Sequence, residues 1–291
     1  MFEQMVFGGG GGRCIWQLGF ILAVRQEIRL TPSVVCAASA GAMVAGVMLM
    51  ERCEEAVDYF HRACLENPGN IIWKNLIRQE PVFPHFAIYK KGVHDLFCRG
   101  FDRLRASADL RVGVIHPPTW LPPSLALATG VATYHIDKRL ISSLHPTFAF
   151  RLGFRQVFYR ARDCKNISEL EHLFLSSCCN PPFSPRLYLN GKDVLDGGAV
   201  GRAPVAGLDS SNGRVLVLDT GCFPGYPRCF SLRKGDQLRT YVQPSRRLPI
   251  GVWNFSDPQI LLSTLEIGLA DGRAFLEELS AEGISVFDPG E

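Results

Sequence analysis

The chain has 291 residues, is 47% hydrophobic and carries a formal net charge of +3. It is long enough to bury a sizeable core, and too weakly basic for a nucleic-acid footprint, which needs Lys and Arg in excess on one face. Ten cysteines (Cys14, Cys36, Cys53, Cys64, Cys98, Cys164, Cys178, Cys179, Cys222, Cys229) are scattered without a C-x-x-C pair. That pattern favours reduced, buried thiols over a disulfide framework or a zinc site.

The opening QMVF is a short apolar run ending at Gly8, with no basic leader before it. A cleaved secretory signal is not expected, and the chain is expected in the cytoplasm. From Arg13 to Ile28 the apolar residues Ile15, Leu18, Ile21, Leu22 and Ile28 recur at helical spacing, which predicts strand, glycine loop, helix. Pro32 interrupts, residues 33–36 predict a second strand, and a helix follows over 40–50. The apolar run 34–50 falls short of the roughly 20 residues a bilayer demands and is rich in Ala, Gly and Ser. A buried strand and its helix satisfy the same composition, so no transmembrane span is predicted.

Residues 54–66 and 92–107 read as further helices, and Pro81, Pro84 and the HPPTWLPP stretch as long connections. Strands are predicted at 110–115, 133–136 and 156–159. Another at 186–189 turns at Asn190-Gly191 into Val194-Leu195. VLVLDTG (215–221) is the clearest late strand, and 259–280 the last long helix. Strands alternating with helices predict an α/β fold with a mostly parallel central sheet. Without an internal repeat or composition break, one domain over 1–291 is expected, with a motif-bearing core over 5–220 and a strand and helix extension over 221–291.

Three segments can carry chemistry. Ala37-Ala38-Ser39-Ala40-Gly41 follows a predicted strand and opens a predicted helix, with small residues at every flank, as a sharp turn between close elements requires. Ser39 reads equally well there as an exposed nucleophile or as a simple helix N-cap. Gly8 to Gly12, followed by Arg13 and a helix, offers consecutive amides to something negative. A P-loop fails for want of G-K-[ST], and a dinucleotide fingerprint fails because Arg13 stands where its third glycine belongs. An oxyanion hole remains.

A serine nucleophile needs a base. The seven histidines are His61, His85, His94, His116, His135, His145 and His172. Asp137 with His145 or His172 fits the order Ser, acid, His. Asp196 in VLDGGAV is the sharper candidate, a carboxylate at a strand end before two glycines, although Asp-Gly-Gly is also a common turn.

The ordered set resembles the patatin-like phospholipase family. The family's loop pattern G-G-G-x-[RK]-G meets Gly9, Gly10, Gly11, Gly12 and Arg13, with Cys14 in place of the last glycine. Its G-x-S-x-G elbow meets Ser39 and Gly41, with Ala37 in place of the first glycine, and its D-G-[GA] meets Asp196, Gly197 and Gly198. Ser176 to Pro185 and the run from Gly198 to Pro204 are weaker echoes of the family's segments on either side of that aspartate. The resemblance implies a three-layer α/β/α fold and a Ser-Asp dyad acyl hydrolase acting on lipid esters without a metal or cofactor. In that reading Ser39 is the nucleophile and Asp196 the base. Gly10, Gly11, Gly12 and Arg13 form the oxyanion hole, supported by Gly9, Gly41, Gly197 and Gly198. Cys14 reads as a buried small hydrophobe, or as a reactive thiol near a helix N-terminus.

Arg233, Lys234, Arg239, Arg246 and Arg247 stand near Phe230, Tyr241, Trp253 and Phe255, a mixture suited to peripheral contact with an anionic membrane surface or to a solvated loop with a few packed aromatics. A catalytically impaired lipid-binding protein, an acyltransferase using the same serine, and a histidine-based esterase are the alternative functions.

Overall fold

The computed structural model describes residues 2–75, 82–140, 144–210, 213–223, 225–281 and 286–287, and Pro81 of the expected connection lies outside them. It opens with β1 (Gln4–Phe7), a 3-10 turn (Gly11–Cys14) and α1 (Ile15–Val24), then β2 (Val34–Ala38) and α2 (Ala40–Leu49). Next come α3 (Cys53–Glu66), α4 (His85–Phe97), α5 (Phe101–Ala106), β3 (Asp109–His116), α6 (Pro123–Leu140) and α7 (Phe148–Arg151). β4 (Arg155–Arg160) and α8 (Ile167–Ser177) lead to a small hairpin, β5 (Tyr188–Leu189) and β6 (Lys192–Asp193). The described elements end with β7 (Gly213–Leu218), β8 (Cys229–Lys234), β9 (Gln237–Val242), α9 (Pro258–Ser280) and β10 (Val286–Phe287).

Eight strands form one sheet in the order β10-β8-β9-β7-β1-β2-β3-β4. The pairs β3–β4 and β8–β9 are antiparallel and the others parallel. The chain winds outward from β1 through β2 and β3, then returns to lay β7 on the other side of β1. This is a topological switch point, where open α/β sheets place their ligands beyond the carboxyl ends of the strands. Phe7 pairs with both Ala37 and Leu218, so β1, β2 and β7 end level with one another.

Alternate side chains of these strands enter cores on opposite faces. Met5, Phe7, Val35, Ala37, Leu216 and Leu218 join α1 to α4, α8 and α9. Val6, Val34, Cys36, Val215 and Val217 join Phe230 and Tyr241 on the other face, where α6 and α7 also pack around Ile115 and Leu195. Burial on both faces is why these strands read as unbroken apolar runs rather than alternating ones. The α/β class with helices on both sides of a mostly parallel sheet is as expected. Helices α1 and α9 approach so closely that a Cβ on Gly268 would fall 2.1 Å from the Trp16 carbonyl oxygen.

Two expectations change. Residues 133–136, predicted as a strand, lie inside α6: Pro123 at its first position and the run Ser124 to Thr129 favour a helix that carries through the β-branched residues. The helix predicted over 92–107 is two helices, divided at Gly100, where the Met50 side chain fills the space a Cβ would need. The basic and aromatic stretch near the C-terminus contains the β8–β9 hairpin, and Phe230, Tyr241 and Phe255 are buried, leaving Trp253 as its exposed aromatic at 42%. Among the described residues, no helix is long and apolar enough to cross a membrane.

Candidate active site

Ser39 stands between β2 and α2 with φ 54° and ψ −137°. Left-handed φ at a non-glycine residue is strained and persists only where its surroundings over-determine it. Two contacts do so here. The Ser39 amide donates to Ser177 Oγ at 2.8 Å, and Ser177 Oγ donates in turn to the Gly113 carbonyl of β3 at 2.7 Å. Gly41, in the first turn of α2, sits so close to β1 that a Cβ would fall 2.5 Å from the Gly8 carbonyl oxygen. Ala37 is an ordinary strand residue in register with Phe7 and Val112, so alanine meets no backbone penalty there. The positive φ falls on the serine itself.

The Ser39 side chain makes no capping bond to α2. Its Oγ donates to Asp196 Oδ2 at 2.6 Å, with Cys178 Sγ 3.8 Å away on the same side. The helix-cap alternative is therefore not what the structure shows. Asp196 is held just beyond Leu195, which bridges antiparallel to Ile115 of β3. Its amide donates to the Cys179 carbonyl at 2.7 Å, and the next amide, Gly197, to the Ser177 carbonyl at 2.9 Å. Its second oxygen, Oδ1, accepts the Gly198 amide at 2.8 Å, and Oδ2 also accepts from Asn180 Nδ2 at 3.1 Å. Burial raises the Asp196 pKa above the ordinary carboxylate value, against the opposing pull of the Ser39, Gly198 and Asn180 hydrogen bonds.

The glycine loop runs beside Ser39, with the position of a Gly9 Cβ only 3.1 Å from the Ser39 Cβ. Thr220, just past β7, donates from Oγ1 to the Gly9 carbonyl at 2.7 Å, and the Gly9 amide donates to the Arg202 carbonyl at 3.0 Å. Gly11 has φ +57° and lies against the Val252 backbone, so only glycine fits. Of the four predicted oxyanion-hole residues, Gly12 gives its amide to the Val252 carbonyl at 3.0 Å and Arg13 gives its amide to the Gly10 carbonyl at 3.2 Å. The Gly10 and Gly11 amides have no acceptor among the described residues, and both glycines line the cavity in front of Ser39. Cys14 is buried, its thiol directed at the Gly8 carbonyl 3.6 Å away and its pKa raised by burial. It behaves as a packed small side chain.

That cavity measures about 410 Å³, within the usual range for small-molecule sites. Phe86, Tyr89, Val131, Trp253 and Phe255 are the large apolar residues of its lining, and Arg13, Tyr134 and Arg202 line it as well. Asp137, His145 and His172 are not among the residues that line this cavity, whereas His85 and His135 are. Asp137 Oδ2 accepts the amides of Thr147 and Phe148 at 2.6 and 2.9 Å, at the start of α7. His145 bonds Tyr241 Oη and His172 the Tyr188 carbonyl. His85 lines the cavity, but burial lowers its pKa to about 4 and its ring rests on Trp253, 4.4 Å between centroids. Among the described residues, no group of three His, Cys, Asp or Glu side chains is placed to hold a metal ion.

Two supporting residues were not legible beforehand: Ser177, which fixes the Ser39 backbone, and Asn180, which fixes the Asp196 carboxylate. Both lie in the SSCCNPPFSP segment, whose small residues are the one trace of this role in the sequence.

Solved structures that this chain matches include VipD of Legionella pneumophila, at 12% identity and a TM-score of 0.41, covering 95% of this chain and 67% of that one. Human GIVD cytosolic phospholipase A2 is similar at 11% identity and a TM-score of 0.47, covering 96% and 62%. This chain thus spans about two thirds of the length of either. Comparison with curated proteins finds no match. The family model of patatin-like phospholipase matches residues 5–209, a span that holds the glycine loop, the serine elbow and the aspartate together, and the chain belongs to that family.

Proposed function

We propose that the protein is a lipid acyl hydrolase that cleaves carboxylic esters of the phospholipase A, lysophospholipase or esterase type, acting as one hydrolase unit across 1–291. The observation that carries this reading is the 2.6 Å hydrogen bond from Ser39 Oγ to Asp196 Oδ2 at a strained strand-to-helix turn. Asp196 accepts the Ser39 proton as Oγ attacks the ester carbonyl, and the Gly10 and Gly11 amides receive the oxyanion. Collapse of the tetrahedral intermediate expels the alcohol, which takes the proton from Asp196, and leaves an acyl-serine. Water, deprotonated by Asp196, then releases the fatty acid and restores Ser39.

The apolar lining residues Phe86, Tyr89, Val131, Trp253 and Phe255 suit an acyl chain. Trp253 and the neighbouring Phe183, 6.1 Å apart between ring centroids, are exposed, and Arg246 and Arg247 lie exposed in the preceding loop. Together they support peripheral contact with an anionic lipid surface.

The test is hydrolysis of a medium-chain p-nitrophenyl ester, with fluorophosphonate labelling as a second readout. The wild type is expected to turn over and to be labelled on Ser39, and folded Ser39→Ala to do neither. Equal hydrolysis by both proteins would overturn the assignment. Product analysis with alcohol acceptors separates transfer from hydrolysis.

A further inference from the structure

One end of the central sheet is a strand whose outer edge no described element pairs with. β4 is the last strand of the sheet, and among the described residues none of its backbone groups bonds outside its ladder with β3. The strand is exposed at both ends and half-buried between them. Such an edge presents a row of free N–H and C=O groups to which an extended segment can pair.

A groove of about 810 Å³ opens along this edge. Phe158, Tyr159 and Arg160 all line it, and consecutive strand side chains point to opposite faces, so the groove lies at the edge rather than on one face. Leu173 of α8 and the β5 residues Tyr188 and Leu189 add apolar surface, with Tyr188 45% exposed.

The charge beside this edge is one-sided. β4 reads RQVFYR, two arginines and no acid. Three guanidinium groups share Asp109, with Arg111 Nε at 2.8 Å, Arg162 Nε at 3.1 Å and Arg160 Nε at 3.4 Å, and Arg162 Nε makes no hydrogen bond. Asp209 meets Arg111 alone of the three, so two carboxylates face three cations. The Arg160 and Arg162 side chains remain 51% and 40% exposed. Arg155, at the other end of β4, and Lys165, in the groove, are exposed and make no ion pair among the described residues. The acids of the groove, Asp163 and Glu169, lie past the end of the strand, and Glu169 accepts the Lys165 amide at 2.9 Å.

That pattern selects the strand that fits. A second copy of β4 would bring the same arginines and no acid, and like charges opposed across a strand pair are destabilising. An acidic strand meets a cation at either end.

We propose that the free edge of β4 is a docking site for an extended acidic segment of a partner protein, which joins the sheet as a further strand. Its backbone pairs with β4, its carboxylates meet Arg155, Arg160 and Arg162, and an apolar side chain enters the groove lined by Tyr159, Tyr188 and Leu189. The inference is independent of the acyl-hydrolase reading, since none of these residues lines the Ser39 cavity.

The experiment titrates the full chain into three fluorescein-labelled peptides of alternating Val and Thr: one with Glu at both ends, one with Lys there, and the Glu peptide with its central amides N-methylated. Fluorescence anisotropy is expected to show the Glu peptide bound at least about tenfold more tightly than the Lys peptide. The N-methylated peptide keeps the charges but loses the donors, and is expected to bind far more weakly. Hydrogen exchange should slow at amides within 155–160 when the Glu peptide is bound. In the double variant Arg155→Glu, Arg160→Glu, with its fold checked by circular dichroism, the preference should invert toward Lys. Were that variant not to fold, the three peptides on the wild type still decide. No binding of any peptide, equal affinity for the Glu and Lys peptides, or equal affinity for the Glu peptide and its N-methylated form overturns the proposal. So does protection that misses β4. Concentration-dependent dimerisation that protects β4 would assign the edge to a second copy and overturn it as well.

Discussion

Ser177 Oγ accepts the Ser39 amide at 2.8 Å and donates to the Gly113 carbonyl at 2.7 Å, so one buried hydroxyl ties the strained serine to the neighbouring strand β3. Ser177 ends α8 and Gly113 lies mid-strand, and the bond therefore fixes the height of the elbow relative to the sheet. Ser177→Ala leaves both the Ser39 amide and the Gly113 carbonyl unsatisfied. We expect a loss of about 1–3 kcal/mol in unfolding free energy and a lower kcat, and urea denaturation beside ester hydrolysis measures both. An unchanged kcat would mean that the elbow holds its shape without this bond.

The ionised base and the buried carboxyl oppose each other at Asp196. Because its pKa is raised, the acidic limb of the kcat/KM profile is expected above the ordinary carboxylate value of about 3.9. Asn180→Leu removes a hydrogen bond that favours the ionised form and should move that limb to still higher pH. A limb that stays in place would show that Asn180 does not tune the base.

The same shift bears on stability. The folded protein holds the Asp196 proton more tightly than the unfolded chain does, so this group favours folding at low pH. That contribution is lost as pH rises from the ordinary carboxylate range through the raised pKa. Asp196→Asn is therefore expected to be inactive by at least about 10³-fold in kcat yet equal or higher in Tm at pH 8. Thermal denaturation at pH 5 and pH 8 checks the sign, and a Tm well below wild type at pH 8 would refute it.

The thiols divide by burial. Cys98 and Cys222 are exposed, whereas Cys14 is buried with a raised pKa. Iodoacetamide under native conditions should label Cys98 and Cys222 first and leave Cys14 unmodified, as read by peptide mass spectrometry. Early labelling of Cys14 would identify it as a reactive group of the loop.

The buried bond from Trp16 Nε1 to Asp271 Oδ2, 2.7 Å long, joins α1 to α9, and the same oxygen accepts the Ser245 amide at 3.0 Å. Asp271→Leu strands both donors and is expected to cost about 1–3 kcal/mol in chemical denaturation, with little change in the kcat of ester hydrolysis by the folded protein.

Local chemistry determined much of this protein. The polyglycine loop, the small residues around Ser39 and the Asp-Gly-Gly turn are legible because each meets a demand of nearby backbone: Gly11 for a positive φ, Gly41 for an approach that leaves no room for a Cβ. The apolar runs of β1, β2 and β7 disclosed a sheet buried on both faces for a similar reason, since the demand falls on every residue of the strand. Propensity failed at 133–136, where the helix begun at Pro123 continued through β-branched residues that alone favour a strand. Only the tertiary structure brought Ser39 to Asp196 across 157 residues, assigned the Gly12 amide to Val252, and put Phe230 and Tyr241 in the core rather than at a surface. Ser177 and Asn180 were hidden for the same physical reason. A serine or an asparagine acquires its role from the partner it meets through space, and that partner is set by how the strands pair rather than by its neighbours in the chain.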